Sequence, residues 1–278
     1  MFTLNCKGKL ISLQKPLVMG IINATPDSFY EGHLTGGQAA MADIAAAMIA
    51  AGADILDIGG QSTKPGSQRI NVEDEMQRVL PVIASIHERL PAALISIDTY
   101  YSRVAEAAVA AGASIVNDIS GGNMDKAIIP VVASLQVPYI CMHMKGSPST
   151  MQQHPEYDDV IKEVLNFFIY KIDECKRAGI KDIIIDPGFG FGKTINHNFQ
   201  LLKNLSVFKI LERPVLAGIS RKGTIYKTLG IDASEALNGT TVLNTLALQN
   251  GADILRVHDI KEAKELVLLM EEYKKTAP

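Results

Sequence analysis

Several function classes are excluded by what this chain lacks. There is no basic excess: 27 Lys and Arg face 30 Asp and Glu, for a net charge of -3. A general nucleic-acid binder calls for the opposite balance. No apolar run approaches the roughly 20 residues of a membrane span. The first residues carry no charged start, apolar centre and small-residue cleavage site of the secretory kind. Three cysteines, Cys6, Cys141 and Cys175, are too few and too scattered for a disulfide framework or a zinc site, and they read as small apolar residues. These absences predict a soluble cytoplasmic enzyme. No strong nucleophile stands out, and the glycine-rich stretch Asp186–Thr194 lacks the spacing of a P-loop.

What is present is apolar bulk in a repeating order. Of 278 residues, 47% are hydrophobic, enough for a large core. Residues 2–12 alternate weakly around Lys7-Gly8-Lys9 and predict a short hairpin over one end of that core. Beyond it, short runs rich in Ile and Val predict strands at Val18–Asn23, Ile55–Gly59, Leu94–Asp98, Ile115–Asp118, Tyr139–Met142, Ile183–Asp186, Val215–Gly218 and Ile254–Val257. Helical periodicity predicts Gln38–Ala51, Val72–Leu90, Ser102–Ala111, Lys126–Leu135, Tyr157–Ala178, His197–Leu205, Ser234–Asn250 and Lys261–Lys274.

Ala51-Gly52-Ala53-Asp54-Ile55 recurs as Ala111-Gly112-Ala113-Ser114-Ile115 and as Asn250-Gly251-Ala252-Asp253-Ile254, with Ala178-Gly179-Ile180 a looser copy. Glycine just past a helix end, with a strand straight after, marks a short helix-to-strand turn. The strand-to-helix turns are longer and polar. This asymmetry predicts one (β/α)8 barrel domain, a TIM barrel, over residues 1–278, with its site at the C-terminal strand ends. An open doubly wound sheet is the alternative.

The strand ends carry a ring of polar groups. Arg256, His258, Asn23 and the Ser62-Thr63-Lys64 loop suit phosphate oxygens, and the Asn23 oxygen suits a divalent metal. Asp98, Asn117 and Asp186 offer acceptors, and Lys222 a donor, to a flat heterocycle; Arg256 is shaped to stack on it, with Phe191, Met142 and Ile119 lining its faces. Plainer readings stand beside these. Asp57 reads equally as a buried acid satisfied by backbone or lysine, and Asp98 as a cap for the helix near Ser102. His33, His87, His154 and His197 read as surface or structural. His143, Lys145 and Lys193 stay open between the two.

Asn23-Ala24-Thr25-Pro26-Asp27-Ser28-Phe29, Asp57-Ile58-Gly59-Gly60, Ser62-Thr63-Lys64-Pro65-Gly66, Asp186-Pro187-Gly188-Phe189-Gly190-Phe191-Gly192-Lys193 and Ser220-Arg221-Lys222 follow in an order that resembles the dihydropteroate synthase family of folate biosynthesis. The resemblance runs from about Leu17 to His258. It implies condensation of 6-hydroxymethyl-7,8-dihydropterin diphosphate with p-aminobenzoate, Mg2+ as cofactor, sulfonamides as inhibitors and a homodimer. It places the pterin against Asp98, Asn117, Ile119, Met142, Asp186, Phe191, Gly218, Lys222 and Arg256. It places diphosphate at Asn23, Thr63, Arg256 and His258, with the metal on Asn23. It places p-aminobenzoate at Phe29, Pro65, Phe189, Lys222 and Gly223. Asp98, Asp186, Lys222 and Arg256 are then the catalytic set, the acids offsetting the cation left when diphosphate departs. Lys64 stands where arginine is usual, and Gly223 where serine is common. A pterin methyltransferase barrel and a non-catalytic folate-binding barrel are the alternatives.

Overall fold

The structure is a computed structural model that describes residues 2–24, 37–61, 69–147, 151 and 155–276. Two antiparallel strands, β1 (Thr3–Cys6) and β2 (Lys9–Ser12), form the expected hairpin. Its two-residue turn places Lys7 at φ 53 and Gly8 at φ 86, the left-handed pair that matches strand twist.

Eight parallel strands follow: β3 (Leu17–Asn23), β4 (Ile55–Gly59), β5 (Ile95–Asp98), β6 (Ile115–Asp118), β7 (Tyr139–Met142), β8 (Ile183–Asp186), β9 (Leu216–Ala217) and β10 (Ile254–Val257). They pair in the order β8-β7-β6-β5-β4-β3-β10-β9, and a single bridge, Ile185 to Val215, joins β8 to the stretch before β9. The sheet is therefore a closed (β/α)8 barrel, and the open doubly wound alternative falls away. Five of the eight strands have the bounds predicted from sequence. The largest difference is β9, reduced to two residues between Pro214 and the turn at Gly218.

Helices α1 (Gly37–Ala50), α2 (Val72–Arg89), α3 (Ser102–Ala111), α4 (Ile128–Leu135), α5 (Val160–Ala178), α6 (Ile195–Lys203), α7 (Gly223–Leu229), α8 (Leu237–Gln249) and α9 (Ile260–Lys275) return the chain between strands. Capping fixes several starts. Asn71 accepts from Asp74 N at the head of α2, and Asp159 accepts from Ile161 and Lys162 N–H groups at α5, which moves that helix inward from Tyr157. Thr194 and His197 form a reciprocal cap on α6. The expected Ser234–Asn250 helix is broken into a 3-10 turn (Ala233–Glu235) and α8. A 3-10 stretch at Leu205–Leu211 and helix α7 were not anticipated from periodicity, being too short to display one. The recurring glycines behave as expected: Gly52, Gly112, Gly179 and Gly251 all have φ between 100 and 127.

The hairpin closes the barrel's N-terminal end. Leu4, Cys6 and Leu13 pack with Leu17, Met19, Ile55, Leu94, Ile115, Ile140, Ile184, Leu216 and Ile254 in one cluster inside the barrel. Asn5 N donates to Asp182 at 2.7 Å, and Lys7 Nζ to Val109 O at 2.9 Å, tying the plug to the helix-to-strand turns. A second, larger cluster lies between strands and helices.

Candidate active site

Strand side chains alternate between faces, so two residues beyond each member of the plugged layer the same inward face recurs. Counting on from Met19, Ile55, Leu94, Ile115, Ile140, Ile184, Leu216 and Ile254 gives Ile21, Asp57, Ser96, Asn117, Met142, Asp186, Gly218 and Arg256. One layer of apolar side chains is thus followed by a layer rich in ionisable ones. Two residues further, Asn23, Asp98 and His258 reach the mouth. The polar ring foreseen from sequence is the consequence of this register.

Arg256 occupies the centre. Its Nε donates to Asp57 Oδ2 at 2.6 Å, and its Nη2 to Asp98 Oδ2 at 2.6 Å. Asn117 Nδ2 also donates to Asp57 Oδ2, at 3.1 Å, which leaves the Asn117 oxygen facing away as an acceptor. Asp57 is fully buried, so its partners are this arginine and asparagine instead of backbone or lysine. Asp98 does not cap a helix. Tyr101 is the N-cap of α3 without a side-chain bond, and Ser102 N donates to Asp125. Burial opposes the charge on Arg256, but Asp57 and Asp98 outweigh it and hold its pKa above the ordinary arginine value. Burial pushes Asp98 up to about 7, with Arg256 acting against the rise.

Lys222 and Asp186 form the second pair. Lys222 Nζ donates to Phe189 O at 2.7 Å and lies 4.7 Å from the centre of the Phe191 ring. Burial pushes its ammonium down to about 8, and Asp186 draws it back up. Burial raises Asp186, opposed first by Lys222, while its Oδ1 accepts Gly188 N at 2.7 Å. A Cβ on Gly218 would sit 3.6 Å from Lys222 Nζ and 3.9 Å from both Arg256 Cβ and Asp186 Oδ2. Gly218 is therefore the floor on which the two pairs meet. Ile119, Met142 and Phe191 are buried at 4%, 2% and 6% exposure and belong to the apolar wall. The Phe189 ring is buried in the core, and its carbonyl is the part that meets Lys222. Gly223 opens α7, with Lys222 as its N-cap.

Asn23 and His258 are exposed at the rim. Ser220 Oγ accepts the His258 backbone N–H at 3.2 Å and lies 3.0 Å from Nδ1, which orients the ring so that Nε2 faces outward. Desolvation and then Arg256 push this imidazole down to about 4. Arg221 holds Asp259 through two bonds, at 2.9 and 2.7 Å, and so fastens β10's end to the loop before α7. Among the described residues no group of three or more His, Cys, Asp or Glu is placed to hold a metal.

Thr63, Phe29 and Pro65 lie outside the described residues, as do Lys64, His33 and His154. His87 is exposed, and His197 serves in the α6 cap. Lys145 is a surface charge paired with Glu163 at 3.1 Å. Lys193, by contrast, is 2% exposed. Sequence reasoning also missed a clasp after β5. Gln61 Nε2 donates to Tyr100 OH and Ile70 N to Gln61 Oε1, while Arg69 Nε donates to Tyr101 OH and lies against both rings. The Tyr100-Tyr101 pair was the available signal.

The chain's residues 19–258 match the family model described as pterin binding enzyme. The dihydropteroate synthase of Escherichia coli (strain K12) is 42% identical over 267 residues, spanning 95% of this chain and 94% of that protein. The Xanthomonas albilineans dihydropteroate synthase, solved with 4-aminobenzoic acid, is 39% identical and superposes with a TM-score of 0.92 over 99% of each chain. The Yersinia pestis dihydropteroate synthase, solved as a sulfonamide drug complex, is 36% identical, with a TM-score of 0.93 over 99% of this chain and 100% of that one. With a family model covering most of its length and relatives this similar from end to end, the chain belongs to the pterin-binding enzyme family, among its dihydropteroate synthases.

Proposed function

We propose that this protein condenses 6-hydroxymethyl-7,8-dihydropterin diphosphate with p-aminobenzoate, giving 7,8-dihydropteroate and diphosphate. The observation that carries the reading is the sorting of groups by depth. Charged and amide groups suited to a ring, Asn117, Asp186, Lys222 and Arg256, converge below the mouth, while Asp98, held by Arg256, stands in the outer layer with the anion donors Asn23 and His258. A pterin seated at the level of Gly218 meets the Asn117 oxygen, Asp186 and Lys222, and lies across the Arg256 guanidinium that Asp57 and Asp98 hold flat. Its diphosphate then points outward.

In the reaction the bond from the exocyclic methylene carbon to diphosphate oxygen breaks, and the electron pair leaves with diphosphate. Arg256 and His258 offset the departing charge. Asp98 and Asp186 face the cation that remains. The neutral arylamine attacks the methylene carbon, forms the C–N bond and gives up one proton to water. p-Aminobenzoate takes the rim beside Lys222 and Gly223; Phe29 and Pro65, expected at the same ligand, and Thr63, expected at the diphosphate, lie outside the described residues. Sulfonamides, isosteric with p-aminobenzoate, compete there.

Mg2+ fits this donor set as an ion that arrives with the diphosphate. Asn23 would hold the ion through one hard oxygen at the rim. When bound it supplies positive charge to the diphosphate. We place the protein in the cytoplasm as a homodimer of single-domain chains. Cys6, Cys141 and Cys175 are free and buried. Among the described residues no helix is long and apolar enough to cross a membrane. Val242 and Leu246 on α8, with Leu268, Leu269 and Tyr273 on α9, are exposed apolar residues for a second copy to cover.

The test is an assay for dihydropteroate and diphosphate from the two substrates, with and without Mg2+. Both products should appear, faster with the metal. Pterin binding without diphosphate release would overturn the reading in favour of a non-catalytic barrel or a methyl-transfer enzyme.

A further inference from the structure

Lys193 is a buried ammonium whose partners are all uncharged. Its Nζ lies 2.9 Å from His143 Nδ1, 3.0 Å from Gly188 O, 3.0 Å from Phe191 O and 3.3 Å from His143 O. Three of these are carbonyl oxygens that accept from it, and the contact with Nδ1 is donated by whichever nitrogen holds the proton. Burial pushes the Lys193 amino group down to about 7, and Asp186 draws it back up. Burial, followed by Lys193 itself, pushes the His143 imidazole down to about 2, in keeping with a neutral ring. Burying an amino group with no carboxylate hydrogen-bonded to it is costly. A methionine would fill the same space without that cost.

The surrounding backbone indicates what the cation does. The loop from Asp186 to Lys193 turns three times through left-handed glycines, at φ 71 for Gly188, 84 for Gly190 and 64 for Gly192. It presses on the loop after β7. A Cβ on Gly188 would meet His143 O at 1.9 Å, and one on Gly192 would meet Lys145 O at 2.3 Å. A loop with so many glycines has little stiffness of its own. The Gly188 and Phe191 carbonyls turn inward to Lys193, and between them the Phe189 carbonyl turns outward, where it receives Lys222 at 2.7 Å.

We propose that Lys193 is a positioning residue for Lys222. Its ammonium gathers the inward carbonyls of this loop, and so fixes the Phe189 carbonyl and the Phe191 ring at the places from which they hold the Lys222 side chain. A buried ammonium of one loop thereby aims the ammonium of another at the heterocycle. The inference rests on the proposed condensation for its kinetic readout only.

The experiment compares wild type with Lys193→Met, Lys193→Gln and His143→Leu by steady-state kinetics across pH, with calorimetric binding of a pterin lacking diphosphate in parallel. Lys193→Met should lower kcat/KM by about tenfold or more and move the alkaline limb that reports Lys222. Lys193→Gln keeps two donors and should recover part of the loss. His143→Leu removes one contact of four and should shift both quantities less, in the same direction, which keeps the test available if Lys193→Met does not fold. A purely structural lysine would lower the melting temperature while leaving kcat and the alkaline limb of the folded enzyme unmoved. That result overturns the inference. If wild type makes no dihydropteroate, the condensation reading falls, and the calorimetry decides alone: weaker pterin binding in the variants supports the positioning role, and unchanged binding overturns it.

Discussion

Asp57 and Arg256 stand 199 residues apart in the chain and 2.6 Å apart in the barrel. The carboxylate is fully buried, and its Oδ1 has no partner among the described residues. The neighbouring strand places Ser96 in register with it, and the Ser96 hydroxyl is likewise unpartnered. The two look alike in burial but differ in what removal does.

Asp57→Ala leaves the guanidinium of Arg256 with Asp98 as its hydrogen-bonded carboxylate among the described residues. Breaking a buried ion pair from one side costs about 3–5 kcal/mol. Urea unfolding should show that loss, and kcat/KM should fall by about a hundredfold, because Arg256 loses its orientation. Ser96→Ala removes an unsatisfied hydroxyl and should be neutral or stabilising by up to about 1 kcal/mol.

Glu75 on α2 gives a pH dependence to stability. It is 1% exposed, its Oε2 has no partner among the described residues, and Thr99 is its hydrogen-bond partner. Burial pushes its carboxyl from 4.5 up to about 8. The folded state therefore keeps a proton that the unfolded state releases, and stability falls as pH rises from 4.5 to 8. The loss is on the order of 5 kcal/mol. Glu75→Gln should flatten the curve of urea midpoint against pH over that window; an unchanged slope would remove Glu75 as its source.

Two glycines with positive φ separate strain from collision. Gly179 has φ 100 and open space around its Cβ position, so Gly179→Ala should cost about 1–2 kcal/mol. Gly188 adds a backbone oxygen at 1.9 Å, and Gly188→Ala should cost more than about 4 kcal/mol or prevent folding. Thermal melts of the pair check the difference.

Leu4 tests the plug. It is 1% exposed at the end of the barrel opposite the site. Leu4→Ala should cost about 2–5 kcal/mol through its cavity while leaving kcat and KM near wild type. A large change in KM would mean that the two ends of the barrel are coupled.

Much of this was legible in sequence because the barrel repeats one chemical rule. Ile and Val runs marked the strands, and the alanine-glycine-alanine copies marked the turns before them. The residue at each strand's end named the ring. Lys193 and Asp57 were less legible because each is held in part by a residue far off in the chain, His143 for Lys193 and Arg256 for Asp57, so their neighbours in sequence do not reveal burial. Short helices such as Gly223–Leu229 escaped because seven residues hold under two turns of period. The bounds of β9 shrank because its pairing is with β10 over only two residues.

The barrel's closure has a further consequence for the newly made chain. β3 pairs with β4 near it in sequence, but also with β10, joining Met19 to Arg256. Until that last strand docks, Asp57 and Asp98 share an interior without the guanidinium that reconciles them, and their mutual repulsion opposes closure. The strand that closes the barrel is thus also the one that brings positive charge to the two acids, so closure and neutralisation of the ring are a single event in the fold.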